Sequence, residues 1–239
     1  MNRQKDTNAL NLALNEHTVG SVDKQGAYVE IADAPEASTS GFYDSTGDGL
    51  GDWTIEFWLK AEYHPADTSS KIIQSVTYVN PNYTGFDINM DADDGQIRCH
   101  FYVGNASDTE IWGYSSSHGT VNYYDDEWHH YVLVVDRTAG TPTVTTIIDK
   151  VVKDVVTGSP LSNVSSDKAF LSSIKIGGRD DDIHQGSVTN RQPFSGQLDD
   201  IKIYKDILTF DTDGSIAEGE TVTSGEVLRN YNAGKRSHR

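Results

Sequence analysis

Three groupings of side chains in this sequence could do chemistry. The first is acidic. Asp44 to Asp52 (DSTGDGLGD) sets oxygen-bearing side chains at Asp44, Thr46, Asp48 and Asp52, with Gly49 between the last two. Alternate oxygens closing around a glycine turn are how one loop wraps a calcium ion. The bidentate glutamate that would complete such a loop is replaced by Ile55, so a further ligand must come from elsewhere. The competing reading is an Asp/Gly-rich turn ahead of Trp53. The second grouping is aromatic. Trp112, Tyr114, Tyr123 and Tyr124 flank a Ser/Gly-rich loop, Ser115–Thr120, and the stretch Gly177–His184, with Arg179 and His184, offers charge and hydrogen bonds. Sugar rings present apolar faces and hydroxyl edges, so a ring platform with polar neighbours suits a glycan. The same rings would anchor a protein partner, or simply cover a sheet edge. The third grouping is of isolated titratable residues. His129 and His130 are adjacent in an extended segment, so they face opposite ways and cannot share one metal ion. Cys99 alternates with Ile97, Phe101 and Val103 and reads as an inert core thiol. No HExxH, CxxC or P-loop occurs. The sequons at Asn82, Asn105 and Asn163 are of the kind that a Ser/Thr-rich chain contains by chance.

The elements that must carry these groups are short and alternating. Trp53–Lys60 puts Trp53, Ile55, Phe57 and Leu59 on one face. Gln96–Val103 puts Ile97, Cys99, Phe101 and Val103 on one face, with Arg98, His100 and Tyr102 opposite. Period-two patterns of this kind are half-buried strands. Trp128–Asp136 is apolar on both faces apart from its histidines, which predicts a central strand covered on both sides. Further strands are expected at Ala27–Ile31, Lys71–Val76, Gly85–Met90, Thr109–Tyr114, Pro142–Ile148, Lys150–Val155, Ala169–Gly177 and Gly196–Tyr204. Asp93-Asp94-Gly95 and Asp149-Lys150 fall where hairpin turns are due. One helix is expected near the end, with Ser224 as N-cap, Glu226 in the first turn, Val227, Leu228 and Tyr231 as its apolar stripe, and Gly234 as its stop. Many strands and one helix imply an all-β sandwich. Residues 1–21 read as a polar N-terminal arm, residues 22–239 as a single domain with an acidic insertion at Asp211–Glu220.

Composition bounds the partners. The chain has 239 residues, with 19 Lys and Arg against 36 Asp and Glu, a net charge of −17. That balance excludes nucleic acid, which needs a basic footprint, and repels an anionic membrane. Cys99 is the only cysteine, so no intrachain disulfide forms. No apolar run is long enough to span a bilayer. Met1 to Thr7 is polar and lacks the apolar stretch of a secretory signal. The chain is then expected to be cytoplasmic when made, a mature form carrying an added Met, or a virion component.

Five segments, in order, resemble the laminin-G-like, concanavalin A-like jelly roll. They are Gly26–Ile31, Trp53–Lys60, Trp128–Asp136, Ile174–Arg179 followed by Phe194–Tyr204, and Glu226–Ala233. Together they span about residues 22 to 234. The resemblance implies two curved antiparallel sheets. It also implies a calcium site on the outer sheet at Asp199, with Asp23 and a carbonyl near Gly26 as partners, set against a reading of Asp199 as an ordinary exposed residue. Enzymes of this fold carry an ExDxxE motif. The nearest match is Glu30, Asp33 and Glu36, whose spacing of three puts Glu30 and Asp33 on opposite faces, while Pro35 argues that the strand has ended. A glycoside hydrolase is therefore disfavoured. The ending Asn230–Arg239 is similar to the ends of laminin-G-like proteins of large marine phages.

The expected function is a non-catalytic recognition or assembly module. The leading reading is a virion-associated structural protein (capsid decoration, fibre or tail) that meets other virion or surface proteins as a homo-oligomer. The alternative is a calcium-dependent, glycan-binding adhesion lectin at an extracellular surface.

Overall fold

The computed structural model describes residues 10–12, 29–32, 52–62, 70–79, 82–91, 94–103, 110–113, 121–136, 141, 143–157, 173–178, 194–204, 206–212 and 216–238. Two six-stranded antiparallel sheets form the sandwich. The first runs β1 (Leu10–Leu12), β12 (Gly196–Tyr204), β3 (Trp53–Ala61), β8 (Trp128–Asp136), β9 (Thr143–Ile148), β10 (Val151–Thr157). The second runs β2 (Val29–Ala32), β11 (Ser173–Ile176), β4 (Ser70–Val79), β5 (Asn82–Met90), β6 (Ile97–Val103), β7 (Glu110–Gly113). A two-residue strand β13 (Phe210–Asp211) and helix α1 (Gly225–Gly234) follow. The all-β jelly-roll expectation is met.

The alternation in sequence becomes the core in space. Trp53, Ile55, Phe57 and Leu59 of β3, with Tyr131, Leu133 and Val135 of β8, meet Phe86, Ile88 and Met90 of β5 and Ile97, Cys99 and Phe101 of β6. Each such side chain contributes roughly 1.5–3 kcal/mol on burial. Cys99 sits in this core as expected, and burial, with the charge of Asp87 adding, pushes its thiol well up. The double-sided apolarity of β8 also has its cause. Val132 and Val134 point away from the main core and pack with Ile147, Val152, Leu208, Val222 and Val227. The C-terminal segment thus lies on the outer face of the first sheet.

Several local expectations are corrected. Leu10–Leu12, inside the segment read as an arm, pairs with β12. Ser224 does not cap α1 through its side chain; its hydroxyl donates to Asp211 Oδ2 at 3.3 Å. The helix start is fixed instead by Glu226, whose carboxylate accepts from the Thr209 N–H and hydroxyl at 3.0 and 3.1 Å. Gly225 has φ +85°, and a Cβ there would lie 2.7 Å from the Thr209 carbonyl carbon. Gly234 is the last helical residue rather than the stop beyond it. Its role is close approach, because a Cβ there would overlap the Trp58 indole. The Asp149-Lys150 turn does form, with φ of 49° and 62°, the left-handed pair that suits a twisted two-residue hairpin.

Candidate functional site

Strand register aligns one row of residues across the second sheet. Glu30 of β2 pairs with Lys175 of β11, Lys175 with Gln74 of β4, Gln74 with Asp87 of β5, Asp87 with His100 of β6, and His100 with Trp112 of β7. The residues beside them on these strands (Ile73, Phe86, Ile88, Cys99, Phe101, Ile176) point into the core, so Lys175, Gln74, Asp87 and His100 face away from it. A second row pairs Lys71, Asn89 and Arg98. Lys71 reaches this face through an irregularity. Two residues apart on a regular strand, Lys71 and Ile73 would share the core side. The register shift between them inserts Ile72 as an extra residue and turns Lys71 outward.

The rows form one hydrogen-bonded network. Lys71 Nζ donates to Asp87 Oδ2 at 2.9 Å, and Asn89 Nδ2 donates to Asp87 Oδ1 at 2.6 Å. His100 Nδ1 lies 3.2 Å from Asn89 Nδ2 and 3.4 Å from Asp87 Oδ1. Arg98 bridges Asp91 and Asp94, the latter at 2.8 Å. Asp87 is only 1% exposed. Burial alone would raise its pKa, but the Lys71 charge and the His100 hydrogen bond outweigh it and hold the carboxyl well below the usual range. Asp87 is therefore an ionised acceptor and not a proton donor. Gln74 is 2% exposed, and its Nε2 has no hydrogen-bond partner. A buried amide donor left without an acceptor is costly.

A second polar cluster lies on the outer face of the first sheet, beneath α1. Glu56, 1% exposed, accepts from Lys202 Nζ and Asn230 Nδ2, both at 2.8 Å, and from Tyr204 OH at 3.2 Å. His130, fully buried beside it, has neither ring nitrogen partnered. Burial pushes its pKa down to about 4, against the pull of the Glu56 and Asp149 carboxylates. Trp58 stacks on Tyr231 and on His238, with centroids 5.7 and 4.6 Å apart. These groups clamp the C-terminal segment to the sheet.

The residues singled out from sequence are dispersed. His129 and His130 do face opposite ways: His129 is held by Asp149 at 2.6 Å and Asp125 at 3.1 Å, while His130 is under the helix. Trp112 is the residue of β7 in register with the row of the second sheet. Tyr123 and Tyr124 do not join it. Tyr123, 5% exposed, belongs to the core and meets His129 edge-on, and Tyr124 packs against the core with its hydroxyl 3.3 Å from Ser70 Oγ. Tyr114, Arg179 and His184 lie outside the described residues, as do Asp23, Asp44, Thr46 and Asp48. Asp52 opens the segment leading into β3. Asp199 Oδ2 lies 3.0 Å from His238 Nε2, and its Oδ1 accepts from the Asp200 N–H. Among the described residues no group of three or more His, Cys, Asp or Glu is placed to hold a metal ion. Glu30 lies on β2, and Asp33 and Glu36 lie outside the described residues. The network residues Lys71, Gln74, Asp87 and Asn89 were missed. Their signal was the alternation Asp87-Ile88-Asn89, equivalent to that of Arg98 and His100.

The two-sheet topology and the outward polar face define the chain as a concanavalin A-like sandwich. Its sequence matches the profile of the concanavalin A-like lectin/glucanases superfamily (Laminin_G_3) over residues 23–212, and the chain belongs to that family. No curated protein matches it as a relative. Similar solved structures include the native heptameric SAP-like pentraxin of Limulus polyphemus, at 16% identity and TM-score 0.43, covering 66% of this chain and 65% of that one. Domains LG4-5 of the mouse laminin α1 chain match at 12% identity and TM-score 0.45, covering 74% and 40%. The CBM40 of a Ruminococcus gnavus IT-sialidase, bound to α2,3-sialyllactose, matches at 13% identity and TM-score 0.43, covering 67% and 79%. The chain thus spans less than two thirds of the pentraxin and two fifths of the laminin pair. Likeness this distant says nothing of what the chain binds.

Proposed function

We propose that this protein is a non-catalytic recognition module that binds a glycan on the outer face of its second sheet. The observation that carries this reading is the row Lys175, Gln74, Asp87 and His100, which faces away from the core, with Trp112 next to it in register on β7. Such a face suits a ligand with hydroxyl edges and an apolar ring surface. Membership of a superfamily named for lectins and glucanases supports it. Against catalysis stands the state of the carboxylates. A retaining glycosidase needs two carboxyl groups about 5–5.5 Å apart, one of them with a raised pKa. Here Asp87 is locked to Lys71 and Asp91 to Arg98. The test is a glycan array with wild type and Trp112→Ala. Binding lost in the variant at an unchanged melting temperature supports the reading; unchanged binding in the variant refutes this face.

The setting proposed is a virion or extracellular surface, on the similarity of the chain's end to those of phage laminin-G-like proteins. A symmetric homo-oligomer in light scattering favours a virion assembly, and a glycan-binding monomer favours an adhesion lectin. Calcium is proposed at the Asp44–Asp52 loop. Millimolar calcium should then raise the melting temperature over EDTA, and Asp48→Ala should abolish the rise.

A further inference from the structure

We propose that helix α1 and the segment to His238 form an acid-released strap over the outer face of the first sheet, with His130 as its trigger. The contacts of the strap converge on one place. Asn230 Nδ2 donates to Glu56 Oε2 at 2.8 Å. The Tyr231 ring centroid lies 5.7 Å from that of Trp58 and 5.9 Å from that of His130. Gly234 presses on the Trp58 indole, and His238 stacks on the same ring. His130 is wholly buried under this cover. A neutral imidazole has one N–H donor and one acceptor nitrogen, and here neither finds a partner. A second proton makes both nitrogens donors and adds a charge. Glu56 Oε2 lies 3.9 Å from His130 Nε2, just beyond hydrogen-bond reach, and is held by Asn230 of the helix. The other oxygen, Oε1, is filled by Lys202 and Tyr204. A bond from a charged donor is stronger than one from a neutral amide, so protonated His130 competes with Asn230 for Oε2. Nδ1 still lacks an acceptor, and water reaches it only when the cover lifts.

The charged groups around His130 act in both directions. Glu56 of β3 and Asp149 of the β9–β10 turn, whose Oδ1 accepts from the His130 backbone N–H at 3.0 Å, draw a proton in. Lys202 of β12 and His238 of the strap oppose it. Tyr204 of β12 reaches Glu56 through its hydroxyl, and Tyr231 of α1 packs by its ring. Burial outweighs the two carboxylates and holds the pKa at about 4, so release comes in acid. The strap gives way before the sheet does. His130 sits on β8, which is paired on both sides, with β3 and β9, whereas side chains hold the strap down. Its near end stays attached through Glu226 and Thr209. Release brings water to His130 and frees the Trp58 and Trp128 indoles, against which His238 packs.

The test is amide hydrogen exchange of the full chain between pH 7 and pH 4, corrected for the intrinsic rate at each pH. The amides of Leu228 to Gly234 should be less protected than those of Ile88 and Phe101 at every pH, because the strap opens without the core. Their opening should also take up the His130 proton. With a pKa of about 4 when covered and the ordinary 6.5 when open, their protection should fall about fortyfold from pH 6 to pH 4. His130→Gln should abolish that fall, and so should His130→Phe, which keeps a flat ring and has no nitrogen to protonate. Asn230→Ala should lower the protection already at pH 7 and shrink the fall, since it leaves Glu56 Oε2 open to His130. Strap amides protected as strongly as the core would mean that the helix opens only by global unfolding, and would overturn the proposal. So would strap protection that ignores pH, or an unchanged fall in either folded His130 variant. Asn230→Ala behaving as wild type would overturn the exchange of partners at Glu56.

Discussion

Replacing Asp87 with asparagine should destabilise the fold far more than a surface substitution does. The change keeps the size and removes the charge. Lys71 Nζ, 2.9 Å from Asp87 Oδ2 and with 9% of its side chain exposed, would lose its counter-ion in a place that water barely reaches. Asn89 and His100 would face a neutral carbonyl or amide in place of a carboxylate. Breaking a buried pair from one side costs about 3–5 kcal/mol. In a chain of this size that shifts the melting midpoint by roughly 6–20 °C. Lys71→Met with Asp87→Leu should cost much less than the single change, since no charge is left alone. The pH dependence has a defined sign. The Asp87 carboxyl is held well below its ordinary 3.8, so its contribution is fully present above that value and is lost as pH falls through the folded value. The gap between wild type and Asp87→Asn, measured by denaturant unfolding, should therefore narrow by about 1 kcal/mol between pH 7 and pH 3. A single-variant loss under about 0.5 kcal/mol at pH 7 would refute the reasoning, because that is the scale of an exposed pair.

Acid should also act through His130. Its folded pKa of about 4 lies below the ordinary 6.5, so stability is intact above 6.5 and falls by about 3 kcal/mol as pH drops to 4; His130→Gln should flatten that window of a stability–pH curve. His129 works the other way. Although burial pulls its pKa down, hydrogen bonds and charge from Asp149 and Asp125 raise it overall, so its share is complete below 6.5 and is lost as pH rises through the raised value. Gly234→Ala should cost roughly 1–3 kcal/mol, as its Cβ would come within 2.6 Å of Trp58 Cε2; an unshifted thermal midpoint would mean that the helix does not press on Trp58. Cys99 should resist a thiol reagent in the folded protein and react on denaturation; rapid native labelling would show that β6 faces the other way.

The strands were legible because burial on one face imposes alternation, as in Trp53–Leu59 and Ile97–Val103. What the sequence concealed depends on register between strands. Lys71 reads as a core-facing error until the extra residue Ile72 turns it around. Asp199 and Lys202 both face α1's side of the first sheet only because the register shifts between them, with Asp200 at φ 49°. The meeting of Gln74, Asp87 and His100 needs two successive hairpins to be aligned, which no local pattern specifies. Aromatic residues near a Ser/Gly loop drew attention to Tyr123 and Tyr124, yet a tyrosine's ring fills a core as readily as it makes a platform. The C-terminal clamp was half visible: the helix stripe of Val227 and Tyr231 was readable, the stacking of Trp58 with His238 was not.

The central claim is that ligand is taken on the outer face of the second sheet. Chemical-shift mapping of the isotope-labelled protein, titrated with the tightest oligosaccharide, tests it most directly. The account predicts the largest shifts at the Gln74 side-chain amide and at the backbone amides of Asp87, His100 and Trp112, with Val121–His129 undisturbed. Shifts confined to Val121–His129, or to the helix Gly225–Gly234, would contradict it.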